Sequence, residues 1–201
     1  MRMLGREFYE RPTLQVAREL LGQRLWARQP TGDLAGGRIV EVEGYLGPED
    51  RASHARLTQR RGAMVPTDRS ALMFGPAGHA YVYLIYGMHN CFNIVAHAPG
   101  RVGAILVRAL EPDDAPIEKK TDRPNWRGPG RLCAGLGIDR RYNGLDLTEP
   151  GASLFVTADT PIPDAAVYTG ARIGVEYAGE DANLPYRFCV RGSGHLSRPV
   201  R

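Results

Sequence analysis

Two carboxylates and an aromatic alternate along Gly37-Arg-Ile-Val-Glu-Val-Glu-Gly-Tyr-Leu-Gly, and their types and spacing could do chemistry. Strand alternation predicts Ile39, Glu41, Glu43 and Tyr45 on one face, opposite Val40, Val42 and Gly44, in a strand from about Arg38 to Tyr45. A solvent-facing side of an antiparallel strand would carry the same pattern. Gly44, however, permits close approach of another backbone or a ligand, and Gly47-Pro48 turns the chain just past Tyr45, a setting that suits a working carboxylate. Arg108 is the single charge in Val102-Gly-Ala-Ile-Leu-Val-Arg-Ala-Leu, which reads as a buried strand. A buried guanidinium needs a carboxylate, and Glu41 or Glu43 would supply it, as a structural ion pair or as an orienting cation in a pocket.

Aromatic chemistry gathers in Ala80-Tyr-Val-Tyr-Leu-Ile-Tyr-Gly-Met-His-Asn-Cys-Phe-Asn, which reads as a strand, a turn at Gly87 and a second strand. Alternation places Tyr81, Tyr83 and Ile85 on one face and Val82, Leu84 and Tyr86 on the other, with Tyr86 beside the turn. A core hairpin with locally satisfied hydroxyls fits this pattern. So does a stacking platform with a protruding wedge, the means of holding one unstacked base and filling the gap it leaves. Upstream, residues 48–74 are polar and basic, with Arg51, His54, Arg56, Arg60, Arg61 and Arg69 and little periodicity; they read as a long functional loop with a helical turn, suited to phosphate contacts. His54 is open to a structural or a catalytic reading.

Further elements must position these groups. Pro12-Thr13 introduces Leu14, Val16, Ala17, Leu20 and Leu21 at helical spacing, closed by Gly22, which predicts an amphipathic helix packed on a sheet. Leu25 and Trp26 read as extended, and residues 111–127 as a charged, Pro-rich surface excursion. Gly128-Pro-Gly-Arg-Leu-Cys predicts a short helix whose first amides and Arg131 could hold a phosphate, with a packing helix as the equal alternative. Short strands are expected around 154–158, 171–177 and 185–191, then an unpatterned, loose tail from Gly192.

The chain of 201 residues, 43% hydrophobic and 24% charged, is expected to form one domain with an ordinary soluble composition. No apolar run approaches the ~20 residues of a membrane span, and the first residues lack a signal-peptide core, so a cytoplasmic, nucleoid-associated location is expected. The three cysteines, Cys91, Cys133 and Cys189, are too dispersed for a disulfide framework and read as small buried side chains. A net charge of +4 favours polyanions weakly. Lys119 and Lys120 are the only lysines, so arginine, the bidentate phosphate fork, supplies the remaining basic residues, although genome composition biased toward Arg, Ala and Gly explains much of that excess.

Five runs in order, Ile39-Val-Glu-Val-Glu-Gly-Tyr-Leu-Gly-Pro-Glu-Asp with Ala52-Ser-His54, Tyr81-Val-Tyr-Leu-Ile-Tyr-Gly-Met with Asn93, Leu106-Val-Arg108-Ala-Leu-Glu-Pro, Gly128-Pro-Gly-Arg-Leu-Cys and Arg187-Phe-Cys-Val-Arg-Gly, resemble the alkyladenine (3-methyladenine) DNA glycosylase family. The resemblance implies an α+β fold: a single mixed domain over residues 1–201 around a curved antiparallel sheet, with packed helices and a protruding β-hairpin that enters the minor groove. It also implies that Glu43 is the general base and Arg108 the arginine beside the attacking water. Tyr45, His54 and Tyr83 would enclose the flipped base, with Tyr86 as the intercalating wedge. Asn93 would help select the base from the pocket floor, and the Val190 carbonyl would help hold the water. Arg131 and Arg69 are the candidate DNA-phosphate contacts. Gly44 replaces a common alanine, His89 and Asn90 replace aromatics, and residues 57–70 match poorly, with Thr67-Asp-Arg-Ser for the usual Thr-Pro-Arg-Asn.

The chemistry implied is removal of alkylated purines such as 3-methyladenine or 7-methylguanine, or of ethenoadenine or hypoxanthine, from double-stranded DNA. An electron-poor base favours the aromatic walls of Tyr45 and Tyr83. A carboxylate then stabilises the oxocarbenium-like sugar and activates water. A Schiff-base mechanism needs an amine, and both lysines fall outside every motif, so a monofunctional hydrolase without lyase activity is expected. No cofactor or metal is expected, because the five histidines show no ligand spacing, and a monomer is the simplest assembly. The rivals are a damage-recognition module without catalysis and a nucleoside hydrolase, which would have no use for Tyr86.

Overall fold

The computed structural model describes residues 1–113 and 124–200. Part of the expected excursion 111–127, including Lys119 and Lys120, therefore lies outside the described residues.

The helix expected after Pro12 is α2 (Thr13–Leu20), preceded by a single turn, α1 (Arg6–Tyr9). Val16, Ala17 and Leu20 are fully buried on its apolar side, as the spacing requires. The strands are β1 (Arg24–Arg28), β2 (Leu34–Tyr45), β3 (Leu57–Arg60), β4 (Ala63–Pro66), β5 (Ala80–Ile85), β6 (His89–Val95), β7 (Ala104–Pro112), β8 (Leu154–Thr157), β9 (Val167–Gly170) and β10 (Arg187–Val190). A third helix, α3 (Pro129–Leu136), lies between β7 and β8. The main sheet runs β5-β6-β7-β2-β1-β8, and every pairing described in it is antiparallel. Its axis is β2. One edge of β2 carries β7 along most of its length, and the other carries β1 at one end and β10 at the other. This is the α+β architecture expected, and among the described residues no helix is long and apolar enough to cross a membrane.

Three local expectations are corrected. The β2 alternation breaks at a pair of offset bulges: Ile39 pairs with Leu110 and Glu41 with Ala109, leaving Val40 extra on β2, and Val42 then pairs with Val107, leaving Arg108 extra on β7. Ile39 consequently joins Val42 in the main core, while Val40 packs with Ala109, Cys189 and Leu196. The carboxylates of Glu41 and Glu43 stay on a common face, where both meet Arg108. The second correction concerns the basic stretch before Ala71, which holds a two-stranded sheet, β3–β4, turning through Arg61 and Gly62 at positive φ. Finally, the strand expected at 171–177 is β9 at Val167–Gly170, and the following segment runs through bends past Arg172 and Ile173.

The segment after Gly192 is tied down despite its lack of periodicity. Leu196 is buried, and Arg187 donates to the Arg198 carbonyl at 2.7 Å. All three cysteines are free and buried. Gly44 lets α2 approach β2 closely, because a Cβ there would sit 2.6 Å from the Leu14 methyl.

Candidate active site

A cavity of about 1200 Å³ opens on the face of the sheet that carries the carboxylates. Tyr45 from β2, His54 from the following loop, Tyr83 from β5, Asn93 from β6 and Arg108 from β7 line it. Tyr86, Arg69 and Arg131 line it too. Eight of the ten positions singled out in the sequence thus share one cavity wall.

The other two are Glu43 and Val190. Glu43 is fully buried one layer behind the wall, among groups that do face the cavity. Tyr45 donates its hydroxyl to Glu43 Oε2 at 2.8 Å, Arg108 Nη1 donates to the same oxygen at 3.0 Å, and the Ile173 amide donates to Oε1 at 2.7 Å. A carboxylate offers about four lone-pair sites, so three donors leave room for one more. Val190 does not line the cavity; its carbonyl accepts the Ser193 amide at 3.3 Å, because the chain turns back at Gly192 just after β10. The backbone that does face the cavity beside Glu43 is that of Ile173.

The electrostatics follow from burial. Burial disfavours the Arg108 cation, but Glu43 and then Glu41 outweigh it and raise the pKa above the ordinary value, so the guanidinium is held charged. Burial, followed by the Glu43 charge, pushes the Tyr45 phenol well above its usual range and keeps the hydroxyl a donor. His54 is lowered to about 4 by burial and by the nearby Arg69 and Arg56 cations, and is therefore a neutral imidazole near pH 7. Its Nδ1 lies 3.1 Å from the Tyr81 hydroxyl, and its ring stands edge-on to Tyr83 at 4.6 Å between centroids. The Arg69 guanidinium covers the Tyr83 ring at 5.1 Å. Asn93 is fixed by its amide, which donates to the Tyr81 carbonyl at 3.0 Å.

Tyr86 is 83% exposed and, with Gly87, takes positive φ at the β5–β6 turn, where Met88 N–H donates to the Ile85 carbonyl at 3.2 Å. Leu84 and Met88 are exposed beside it, so the tip presents apolar side chains to solvent. In α3, Leu132, Cys133 and Leu136 are buried, whereas Pro129, Gly130 and the exposed Arg131 line the cavity.

Residues 7–194 match the family described as Methylpurine-DNA glycosylase (MPG). The chain belongs to the methylpurine-DNA glycosylase family. A Myxococcus xanthus protein provisionally named 3-methyladenine DNA glycosylase is 49% identical over 199 residues, covering 98% of this chain and 95% of its own length. Provisionally named 3-methyladenine DNA glycosylases of Methanocella arvoryzae and Bacillus cereus are 45% and 40% identical, each covering at least 95% of this chain and 97% of its own length. The family expected from the five motifs, and with it DNA glycosylase activity of the DNA-repair kind, is thereby established.

The chain also has charged groups around the cavity that sequence reasoning missed. Arg172 makes a bidentate pair with Asp50 at 2.6 and 2.8 Å, donates to the Gly44 carbonyl at 3.0 Å, and lies over the Tyr45 ring at 4.8 Å. Burial raises the Asp50 pKa, yet the Arg172 fork and the Leu46 and Ala52 amides outweigh it and leave the carboxyl below its ordinary value. The signal was available: Arg172 is one charge in the small and apolar run Gly170-Ala-Arg-Ile-Gly-Val, the pattern that singled out Arg108. Arg187, from the fifth motif, donates to Glu41 at 2.8 Å.

Proposed function

We propose that this member of the family is a monofunctional DNA glycosylase, turning modified purines out of duplex DNA and hydrolysing the N-glycosidic bond with a water activated by Glu43. The observation that carries this reading is the arrangement of aromatic walls, a buried carboxylate–guanidinium pair and an exposed tyrosine around one cavity. The target base would be extruded, at a few kcal/mol, with Tyr86 filling the vacated stack. Tyr45, Tyr83 and neutral His54 would enclose it, and an N3- or N7-alkylated purine, being cationic, gains from aromatic faces what an undamaged base does not. Asn93 would limit which edges fit.

Water bound at the remaining site of Glu43 would attack C1′ from the side opposite the base. Its oxygen forms the new C–O bond, its proton passes to Glu43, and the electron pair of the C–N bond leaves with the purine. A cationic purine leaves neutral and needs no acid, whereas hypoxanthine would require one. Arg108 would orient Glu43 and the water through its hydrogen bond to Oε2. Arg69 and Arg131 at the rim would hold phosphates. The product would be an intact strand with an abasic site, made by a monomer acting on chromosomal DNA in the bacterial nucleoid.

Release of base from duplexes carrying 3-methyladenine, 7-methylguanine, ethenoadenine and hypoxanthine, wild type beside Glu43→Gln, tests this directly. Wild-type release of the cationic purines, with none from a Glu43→Gln protein that still binds lesion DNA, is the expected result. Binding without release by the wild type would make the protein a recognition module. Borohydride trapping of a protein–DNA adduct would show that the reaction is not simple hydrolysis.

A further inference from the structure

Among the described residues, only two that are not glycine sit at left-handed φ: Tyr86 at 53° and Arg61 at 49°. Each is followed by a glycine of the same hand, Gly87 at 71° and Gly62 at 84°; β3–β4 closes through Arg61 and Gly62 alone, as a type I′ hairpin does, and β5–β6 through Tyr86, Gly87 and Met88. Asn, Asp or Gly normally fills the first of these positions, and a tyrosine or arginine there costs about 1 kcal/mol. The chain accepts that cost twice, and both hairpins start from the same cavity. Tyr86 lines it directly, while Arg56 and Arg69, which bracket β3–β4, line its rim.

The β3–β4 hairpin pairs with no other strand described and is mostly exposed. Cross-strand register puts Leu57, Gln59, Met64 and Pro66 on one face, with Met64 62% exposed. Arg60 is drawn back to Asp68 at 3.1 Å, whereas Arg61 stands exposed at the tip. The stretch 56–69 holds Arg56, Arg60, Arg61 and Arg69 against the single carboxylate of Asp68. An arm of this charge at the mouth of the cavity fits a polyanion, and its apolar face fits the deoxyribose edges between phosphates.

We propose that the β3–β4 hairpin is a second DNA-contacting arm, with Arg61 at its tip placed on a backbone phosphate away from the one gripped at the cavity rim. It rests on the glycosylase reading only for the identity of its polyanion, duplex DNA. A phosphate contact carries no sequence information, so the arm serves lesion and undamaged duplex alike and would hold the enzyme on DNA during the search.

The test is the salt dependence of duplex binding, followed by fluorescence anisotropy on an undamaged and an abasic duplex, for wild type, Arg61→Asn and Arg61→Lys. Asparagine keeps the turn, since it tolerates left-handed φ, and removes only the charge. The expected result is that Arg61→Asn lowers the slope of log K against log salt by about 0.9 and weakens binding about eightfold near 0.1 M salt, on both duplexes, with Arg61→Lys restoring the slope. A melting temperature for Arg61→Asn equal to or above that of wild type, as relief of the left-handed arginine requires, excludes unfolding as the cause. Slope and affinity equal to wild type in Arg61→Asn would overturn the proposal. Base release by the wild type is scored separately: an Arg61-dependent slope without base release retains the arm and removes the glycosylase reading.

Discussion

Glu41 and Glu43 lie two residues apart on one face of β2, share Arg108, and are both fully buried, yet their surroundings differ. Glu41 receives Arg108 Nε at 3.1 Å, Arg187 Nε at 2.8 Å, the Ser197 hydroxyl at 2.7 Å and the Ser197 amide. Three of these converge on Oε1 and one on Oε2, and Arg187 and Ser197 do not line the cavity. Glu43 receives three, from groups that themselves line the cavity. One is a structural junction tied to the segment after Gly192, and the other is held by groups of the cavity wall. The lesson is that charge and burial alone do not separate the two; the place of their donors relative to the cavity does.

Breaking the pair at Glu43 has the largest expected effect. Glu43→Gln should lower single-turnover base release by about 10²–10⁴-fold, the usual contribution of a general base, while lesion binding persists. Release within tenfold of wild type would move the base function elsewhere. At Glu41 the consequence is stability: Glu41→Gln leaves Arg108 and Arg187 short of a counter-charge, and denaturant unfolding should show a loss of about 3–5 kcal/mol. If Glu41→Gln and Glu43→Gln unfold at the same denaturant concentration, the contrast between junction and site is wrong.

Smaller changes sharpen the comparison. Ser197→Ala removes one charge-assisted hydrogen bond from Glu41 and should cost about 1.5–3 kcal/mol in the same unfolding assay, although Ser197 lies in a segment with no regular structure. His54 supplies the smallest effect and a pH signature. Its folded pKa of about 4 lies below the ordinary 6.5, so between those values the unfolded chain takes up a proton that the folded protein refuses. His54 therefore weakens the fold progressively as pH falls from about 6.5 to 4, and has no such effect above that window. His54→Gln should flatten the melting temperature across those pH values; an unaltered profile would show that His54 titrates normally.

Much of this was legible in the chain, for identifiable reasons. A tyrosine-rich alternation interrupted by Gly87 specifies a hairpin through propensity and turn chemistry, both local. The apolar spacing from Leu14 to Leu20 specifies the helix in the same way. A lone arginine in an apolar strand announces that some carboxylate must neutralise it, because an unpaired buried charge is too costly. Five motifs in order were enough to recognise the family.

Tertiary structure decided the remainder, since it depends on pairs distant in sequence. That Arg108 bridges both Glu41 and Glu43 follows from the two offset bulges between β2 and β7, and a one-residue slip on a single strand leaves no mark in its own sequence. The same holds for Ile173, whose amide reaches Glu43 only because the chain beyond β9 folds back over β2, and for Val190, which that route leaves away from the cavity. The β3–β4 hairpin lacked alternation strong enough to read, and its turn rests on an arginine in a conformation that side chains seldom adopt. The sequence by itself determined which groups had to be neutralised or buried; the packing of distant strands determined which carboxylate came to be held by the groups that line the cavity, because a hydrogen-bond environment is a property of the assembled neighbours and not of the residue.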